Sequence, residues 1–74
     1  MSAQNMSEGM YKKAQLVSEL VTSKRQQDRG SLAYVVTELL LEPHRRVYRN
    51  HGAPLGDSDD GMVRWFFERA NGMR

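Results

Sequence analysis

The sequence predicts an all-α protein, a small bundle of three principal helices plus one short basic helix. Apolar residues recur at the i, i+3/i+4 spacing of an amphipathic helix in separate segments of the 74-residue chain. Polar connectors that contain glycine or proline separate these segments, as expected at helix ends. A chain of this length can bury only a small core, so we expect one domain over residues 8–72, after a disordered N-terminal tail at 1–7 and before a short C-terminal end at 73–74.

The first predicted helix covers residues 8–24, and Ser7 is placed to cap it. Its apolar residues share one stripe, which consists of Met10, Ala14, Val17, Leu20 and Val21. The polar segment KRQQDRGS then ends this helix near Gly30, and Ser31 can cap the next one.

The second predicted helix covers residues 31–41, with the sequence SLAYVVTELLL. An advance of about 100° per residue places one set of apolar side chains on the face expected to be buried: Leu32, Val35, Val36, Leu39 and Leu40. It places Tyr34, Glu38 and Leu41 on the opposite face, which we expect to contact solvent. The β-branched residues make a strand the alternative here. Strict alternation, however, would put Glu38 in one row with leucine side chains, so a helix is favoured.

Pro43 suits the first turn of a helix and interrupts the helix before it, so a short basic helix is predicted at 43–50. The segment HGAPLGDSDDG is then predicted as a loop, because glycine and proline recur in it. The last helix is predicted at 58–70, with Asp57 or Ser58 as its N-cap. Its inner stripe consists of Met62, Val63, Phe66, Phe67 and Ala70.

Arg45, Arg46 and Arg49 share one arc of the short basic helix and are predicted to face water together. The guanidinium group pairs with phosphate and carboxylate in a forked geometry, so this arc is a candidate contact for nucleic acid or an acidic protein. A solvated helix face without a partner is the alternative. The net charge of +2 is too small to indicate polyanion binding by itself.

Tyr34, Leu41 and Trp65 break the patterns of their own helices, because each lies on a side that should be polar. Exposed aromatic and arginine side chains often carry the energy of an interface. These residues, together with Arg69 beside Trp65, are therefore candidate docking residues. The alternative is that the fold buries them, or that Trp65 packs under Arg69 as a cation–π pair.

No catalytic or cofactor motif is discernible, and we expect neither an enzyme nor a bound cofactor. The chain has no cysteine. His44 and His51 would lie about 10.5 Å apart along a helix axis, too far to share a zinc ion. The segment DSDDGMVRWFFE has glycine at the fifth rather than the sixth position of a calcium loop, so a helix cap is expected there instead. Because the sequence contains neither a membrane-length apolar run nor a signal peptide, we expect a cytoplasmic protein without membrane contact.

The function favoured by these observations is a small non-catalytic regulatory protein that docks on a larger protein partner. Its size, its basic helix and its lack of a catalytic apparatus are similar to those of short accessory proteins of phages and mobile elements that modulate host transcription. RNA polymerase is therefore the first partner expected. Two other classes stay open: direct DNA or RNA binding through the helix at 43–50, and a homo-oligomer that buries Tyr34, Leu41 and Trp65 against itself.

Overall fold

The computed structural model describes the backbone of residues 2–72 and the side chains of residues 9–72. It contains three α-helices, which are α1 at Ser2–Arg25, α2 at Leu32–Asn50 and α3 at Asp59–Gly72. The prediction of a small all-α bundle is confirmed, and the described residues contain no strand. The C-terminal end at 73–74 lies outside them. No helix in this part of the chain combines the length and the apolar character needed to cross a membrane.

The buried face of α1 matches the predicted stripe. Ala14, Val17 and Val21 are buried, and Leu20 packs beside them against the same core. The helix begins at Ser2, so it includes residues assigned to the tail, and Ser7 lies inside the helix rather than at its N-cap. The apolar periodicity therefore identified the side of α1 that packs, but not where the helix begins.

α2 is one continuous helix, so the break predicted at Pro43 and the separate short basic helix at 43–50 are wrong. A proline in a helix interior removes one backbone hydrogen bond. Pro43 lies on the exposed side of α2, where water can satisfy the freed carbonyl group. Leu41 and Tyr48, on either side of Pro43, are both buried in the same core. Their packing keeps the two halves of the helix in line.

α2 also presents the opposite face to the core from the one predicted. Leu32 is 78% exposed and Leu39 is 65% exposed, whereas Thr37, Leu41 and Tyr48 are buried. α1 packs against both other helices, while α2 and α3 have few contacts with each other. The described part of the chain therefore covers only one side of α2. The predictions that Leu39 is buried and that Leu41 contacts solvent are both wrong.

Serine residues cap two of the helices, as the sequence indicated. The side-chain oxygen of Ser31 accepts a hydrogen bond of 3.1 Å from the backbone N–H of Tyr34 at the start of α2. Ser58 accepts a bond of the same length from the backbone N–H of Gly61 in α3. These bonds satisfy N–H groups that have no partner within the helix. Ser58 rather than Asp57 is therefore the cap of α3.

Tyr48 fastens the loop between α2 and α3 to the core. Its hydroxyl group donates a hydrogen bond of 2.6 Å to the carbonyl oxygen of Gly56 and accepts one of 2.9 Å from the backbone N–H of Leu55. Gly52 and Gly56 have φ angles of 89° and 94°, which side chains other than hydrogen rarely permit. One buried tyrosine thus fixes where the chain turns towards α3.

Gly61 lies directly beneath this loop, and replacing it should destabilise the fold. A Cβ atom at Gly61 would overlap the carbonyl oxygen of Leu55, which belongs to the backbone and cannot rotate away. We expect Gly61→Ala to lower the free energy of unfolding by about 1 to 2 kcal/mol, measured by urea denaturation. Gly9→Ala is the control, because that site in α1 has open space around it and should gain about 0.5 to 1 kcal/mol. Equal effects of the two substitutions would contradict this close approach.

Candidate interaction surface on α2

Exposed apolar side chains are concentrated on α2. Among the described residues, eight large apolar side chains are exposed, and five of them lie on this helix. We name these five the α2 apolar face, and they are Leu32, Val35, Val36, Leu39 and Leu40. Their spacing of one, three or four residues places them on one side of successive turns. They therefore form one continuous stripe rather than scattered exposed residues.

The α2 apolar face is comparable in size to the largest apolar patch of a typical monomer. From Leu32 to Leu40 the stripe extends over about 12 Å of helix axis. The exposed fractions of its members add up to about three whole side chains, or roughly 200 to 400 Å² of apolar surface. Contiguous patches of a few hundred Å² are among the largest that a monomer shows, and they are often binding sites.

The C-terminal end of the α2 apolar face is basic. Arg46 is exposed and follows the stripe one turn beyond Pro43. Arg49 is also exposed, with its guanidinium group 3.6 Å from the carboxylate of Glu42. Two of the three arginines predicted to face water are therefore accessible, next to an apolar surface.

Arg45 does not share this exposed surface, contrary to the prediction. Its side chain is only 17% exposed and donates hydrogen bonds of 2.8 Å to Glu38 and of 3.0 and 3.1 Å to Asp59. Lys24 of α1 also pairs with both carboxylates, at 3.3 Å from Glu38 and in direct contact with Asp59. We name these four residues the ion-pair cluster. Because the ion-pair cluster joins α1, α2 and α3, Arg45 has a structural role.

The ion-pair cluster shifts the pKa values of its members in the direction that keeps them charged. Burial alone would raise the pKa of Asp59, but hydrogen bonds from Arg45 and Lys24 outweigh burial and lower this pKa. The hydrogen bond from Arg45 is the main reason why the pKa of Glu38 is lowered. Burial opposes the charge on Lys24, yet its two carboxylate partners raise its pKa. Each charge is thus more stable in the folded state than in a chain without these partners.

Trp65 packs at the edge of the core. Its ring centroid lies 5.4 Å from that of Tyr48, 5.0 Å from that of His51 and 5.0 Å from that of Phe66. The guanidinium carbon of Arg69 lies 5.2 Å from the indole centroid, which is the cation–π contact considered as the alternative to docking. Both residues have packing roles within the chain, and a docking role for either stays a prediction.

The residues predicted as a docking surface do not lie together. Leu41 is buried in the core, so it contributes nothing to an accessible surface. Tyr34 is partly buried and lines a shallow pocket with Lys24, Arg25 and Arg29. The homo-oligomer alternative therefore cannot use Leu41, while a role of Tyr34 and Trp65 in it stays a prediction.

The two histidines lie in different surroundings. His44 packs edge-on against the ring of Phe66 with a centroid distance of 6.2 Å, and burial, followed by the charge of Lys13, lowers its pKa. His51 is exposed, with its Nδ1 atom 3.0 Å from the backbone carbonyl oxygen of Val47. Within the part of the chain described, no group of three or more histidine, aspartate or glutamate side chains could hold a metal ion.

Comparison with known proteins finds no relative of this chain: no family model, curated protein or solved structure matches it. The α2 apolar face is the feature that the fold itself leaves without a role.

Proposed function

We propose that this chain is a small regulatory protein without catalytic activity, which binds other protein chains through α2 and docks on a larger partner. One observation carries the proposal, namely the exposure of five leucine and valine side chains on successive turns of one helix. Apolar surface in contact with water is unfavourable, and association with another protein removes this contact. A helix with such a stripe is one of the recurrent elements by which proteins recognise each other.

The basic end of α2 supports docking on a larger partner with an acidic surface. Arg46 and Arg49 are exposed at the border of the α2 apolar face. Charges at the rim of an interface speed up association and discriminate between partners. The host transcription machinery remains the partner class that we propose, with RNA polymerase as its first candidate.

Direct nucleic-acid binding has less support than protein binding. Arg45 is neutralised by Glu38 and Asp59, and Glu42 lies 3.6 Å from the guanidinium groups of both Arg45 and Arg49. Phosphate groups are contacted mainly by cationic and polar side chains. A leucine and valine stripe next to only two accessible arginines is therefore better suited to a protein surface.

Photo-crosslinking from α2 tests this proposal. Benzoylphenylalanine in place of Leu39, or in place of Arg46, is expected to attach to protein when bacterial cells that produce the chain are irradiated. Benzoylphenylalanine in place of Lys12, which is exposed on α1, is the control and should form few protein adducts. Mass spectrometry identifies each adduct, and a polymerase subunit attached at Arg46 would support the role in transcription. Adducts with nucleic acid alone, or the same adducts at Lys12, would contradict the proposal.

A further inference from the structure

We infer that the chain bound on the α2 apolar face is a second copy of this protein, whose own α2 packs against it in an antiparallel two-fold dimer. This inference rests on the proposed function, in which α2 binds protein. It adds the identity of the chain on the face and the direction in which that chain runs.

The spacing of the apolar residues on α2 is that of a helix–helix interface. Leu32, Val36, Leu39 and Pro43 follow steps of four, three and four residues, which is the repeat by which two helices interlock. In a two-fold dimer the same patch serves on both subunits, so the patch must be complementary to itself. An entirely apolar stripe meets this condition, because every side chain on it meets an apolar side chain of the other copy.

Antiparallel packing aligns these positions with one another. With the two-fold axis between Val36 and Leu39, Val36 of each copy packs against the partner's Leu39. Leu32 of each copy then approaches the partner's Pro43. The contact buries no charged group, so no charge must be removed from water to form it.

The arginines decide between the antiparallel and the parallel arrangement. Arg46 occupies the next position of the same repeat after Pro43. In a parallel pair it would face the partner's Arg46, and both this repulsion and the parallel helix dipoles would oppose association. In the antiparallel pair the two Arg46 side chains lie about 25 Å apart along the helix axes. Both basic ends then remain accessible to a larger partner.

The area of the face matches a dimer that dissociates on dilution. Two copies would together bury roughly 400 to 800 Å² of apolar surface. With the polar atoms around it, this approaches the lower limit of a specific interface, about 1,200 Å² in total. A weak association that depends on concentration is therefore expected.

Analytical ultracentrifugation of the purified chain, from low micromolar to millimolar concentration, tests for this dimer. We expect a monomer at the low end and a dimer at the high end. Leu39→Glu should weaken association at least about tenfold, because it places two like charges inside the contact. Thr22→Glu, which adds the same charge at an exposed position of α1, should leave association unchanged. A monomer at every concentration, or an unaffected Leu39→Glu dimer, would overturn the inference. Circular dichroism verifies that both variants are folded.

Single cysteine substitutions test the orientation, since the chain has no cysteine of its own. Val36→Cys lies near the proposed two-fold axis and should form a disulfide with the partner's cysteine under mild oxidation. Arg46→Cys should not, because the two sulfur atoms would be far apart. Efficient oxidation of Arg46→Cys would overturn the antiparallel arrangement.

Ultracentrifugation and crosslinking together distinguish a failure of the dimer inference from a failure of the proposed function. If the purified chain stays monomeric but benzoylphenylalanine at Leu39 attaches to another protein, the second copy is excluded and the protein-binding function stands. If the purified chain is monomeric and neither α2 position attaches to protein, both fail. Attachment to another copy at Leu39, with a concentration-dependent dimer, supports the inference, and attachment of a different protein at Arg46 is then what supports docking on a larger partner.

Discussion

Replacing Leu41 with alanine is expected to lower the free energy of unfolding by about 2 to 5 kcal/mol. Leu41 is fully buried, in a cluster that includes Val17 of α1 and Phe66 of α3. Removing its side chain loses the transfer free energy of the buried atoms and leaves a cavity between helices that can only partly close. A small domain has only about 5 to 15 kcal/mol of stability in total. Much of the variant should therefore be unfolded at moderate temperature.

Leu40→Ala is the matched control, because it makes the same change at the next position of the same helix. Leu40 is 53% exposed, whereas Leu41 is 0% exposed. We expect Leu40→Ala to cost less than about 1 kcal/mol. Urea denaturation followed by circular dichroism, at a concentration where the chain is monomeric, measures both variants. A larger loss for Leu40→Ala would mean that the face predicted from the sequence is the buried one after all.

The apolar pattern predicted the packing of α1 and α3 because each of these helices has one apolar side. Val17 and Phe66 belong to stripes without a comparable apolar surface opposite them, so the side that packs was unambiguous. The serine caps of α2 and α3 could also be predicted from the local sequence, whereas the cap predicted at Ser7 is wrong. A cap depends on residues three apart in the sequence, as at Ser31 and Tyr34.

The orientation of α2 could not be predicted from apolar content, because its outward face is the more apolar one. Periodicity indicates that a side is apolar, but it does not tell whether the same chain or another chain covers that side. A second signal was present in the sequence. Tyr34, Glu38, Leu41, Arg45 and Tyr48 also follow alternating steps of four and three residues. This inward stripe contains two charged residues, and for that reason Tyr34, Glu38 and Leu41 are predicted to contact solvent.

Those two charged residues pair with each other across two turns of α2, and each of them also has a partner on another helix. Glu38 and Arg45 meet Lys24 of α1 and Asp59 of α3, which are distant in sequence. No local pattern predicts such a pairing. The helix break predicted at Pro43 is wrong for a similar reason, because contacts between helices outweigh a local preference. Leu41 and Tyr48 pack into the core on both sides of the proline and keep the helix continuous.

Asp59→Ala is expected to lower the free energy of unfolding by about 2 to 3 kcal/mol. The carboxylate of Asp59 binds both Lys24 and Arg45, and its side chain is 16% exposed. Its removal leaves two partly buried cations that share Glu38, and Arg45 keeps in addition only the more exposed Glu42, at 3.6 Å. The expected loss is below that for a fully buried pair, because some contact with water remains and screens the charges.

Asp60→Ala is the matched control for the charge at the helix terminus. Asp59 and Asp60 both lie in the first turn of α3, so both interact with the positive end of that helix. Asp60 is 74% exposed and, among the described side chains, pairs only with the exposed Arg25, so its replacement should cost less than about 1 kcal/mol. Equal losses in the two variants would show that the helix terminus, and not the ion-pair cluster, accounts for the effect.

The ion-pair cluster should also make the stability of the protein depend on pH in the acid range. The pKa values of Asp59 and Glu38 are lower in the folded chain than in an unfolded one. At pH values between the folded-state and the unfolded-state pKa values of these carboxyl groups, the unfolded state binds more protons than the folded state. The free energy of unfolding therefore rises with pH in this range. The contribution is complete above about pH 5 and is lost as pH falls below about pH 4 through the lowered pKa values.

Thermal melts between neutral pH and pH 3 should therefore show a steeper fall of Tm for the wild-type chain than for Asp59→Ala, which has already lost one of these carboxylates. Parallel curves for the two proteins would show that the cluster contributes nothing to the acid dependence.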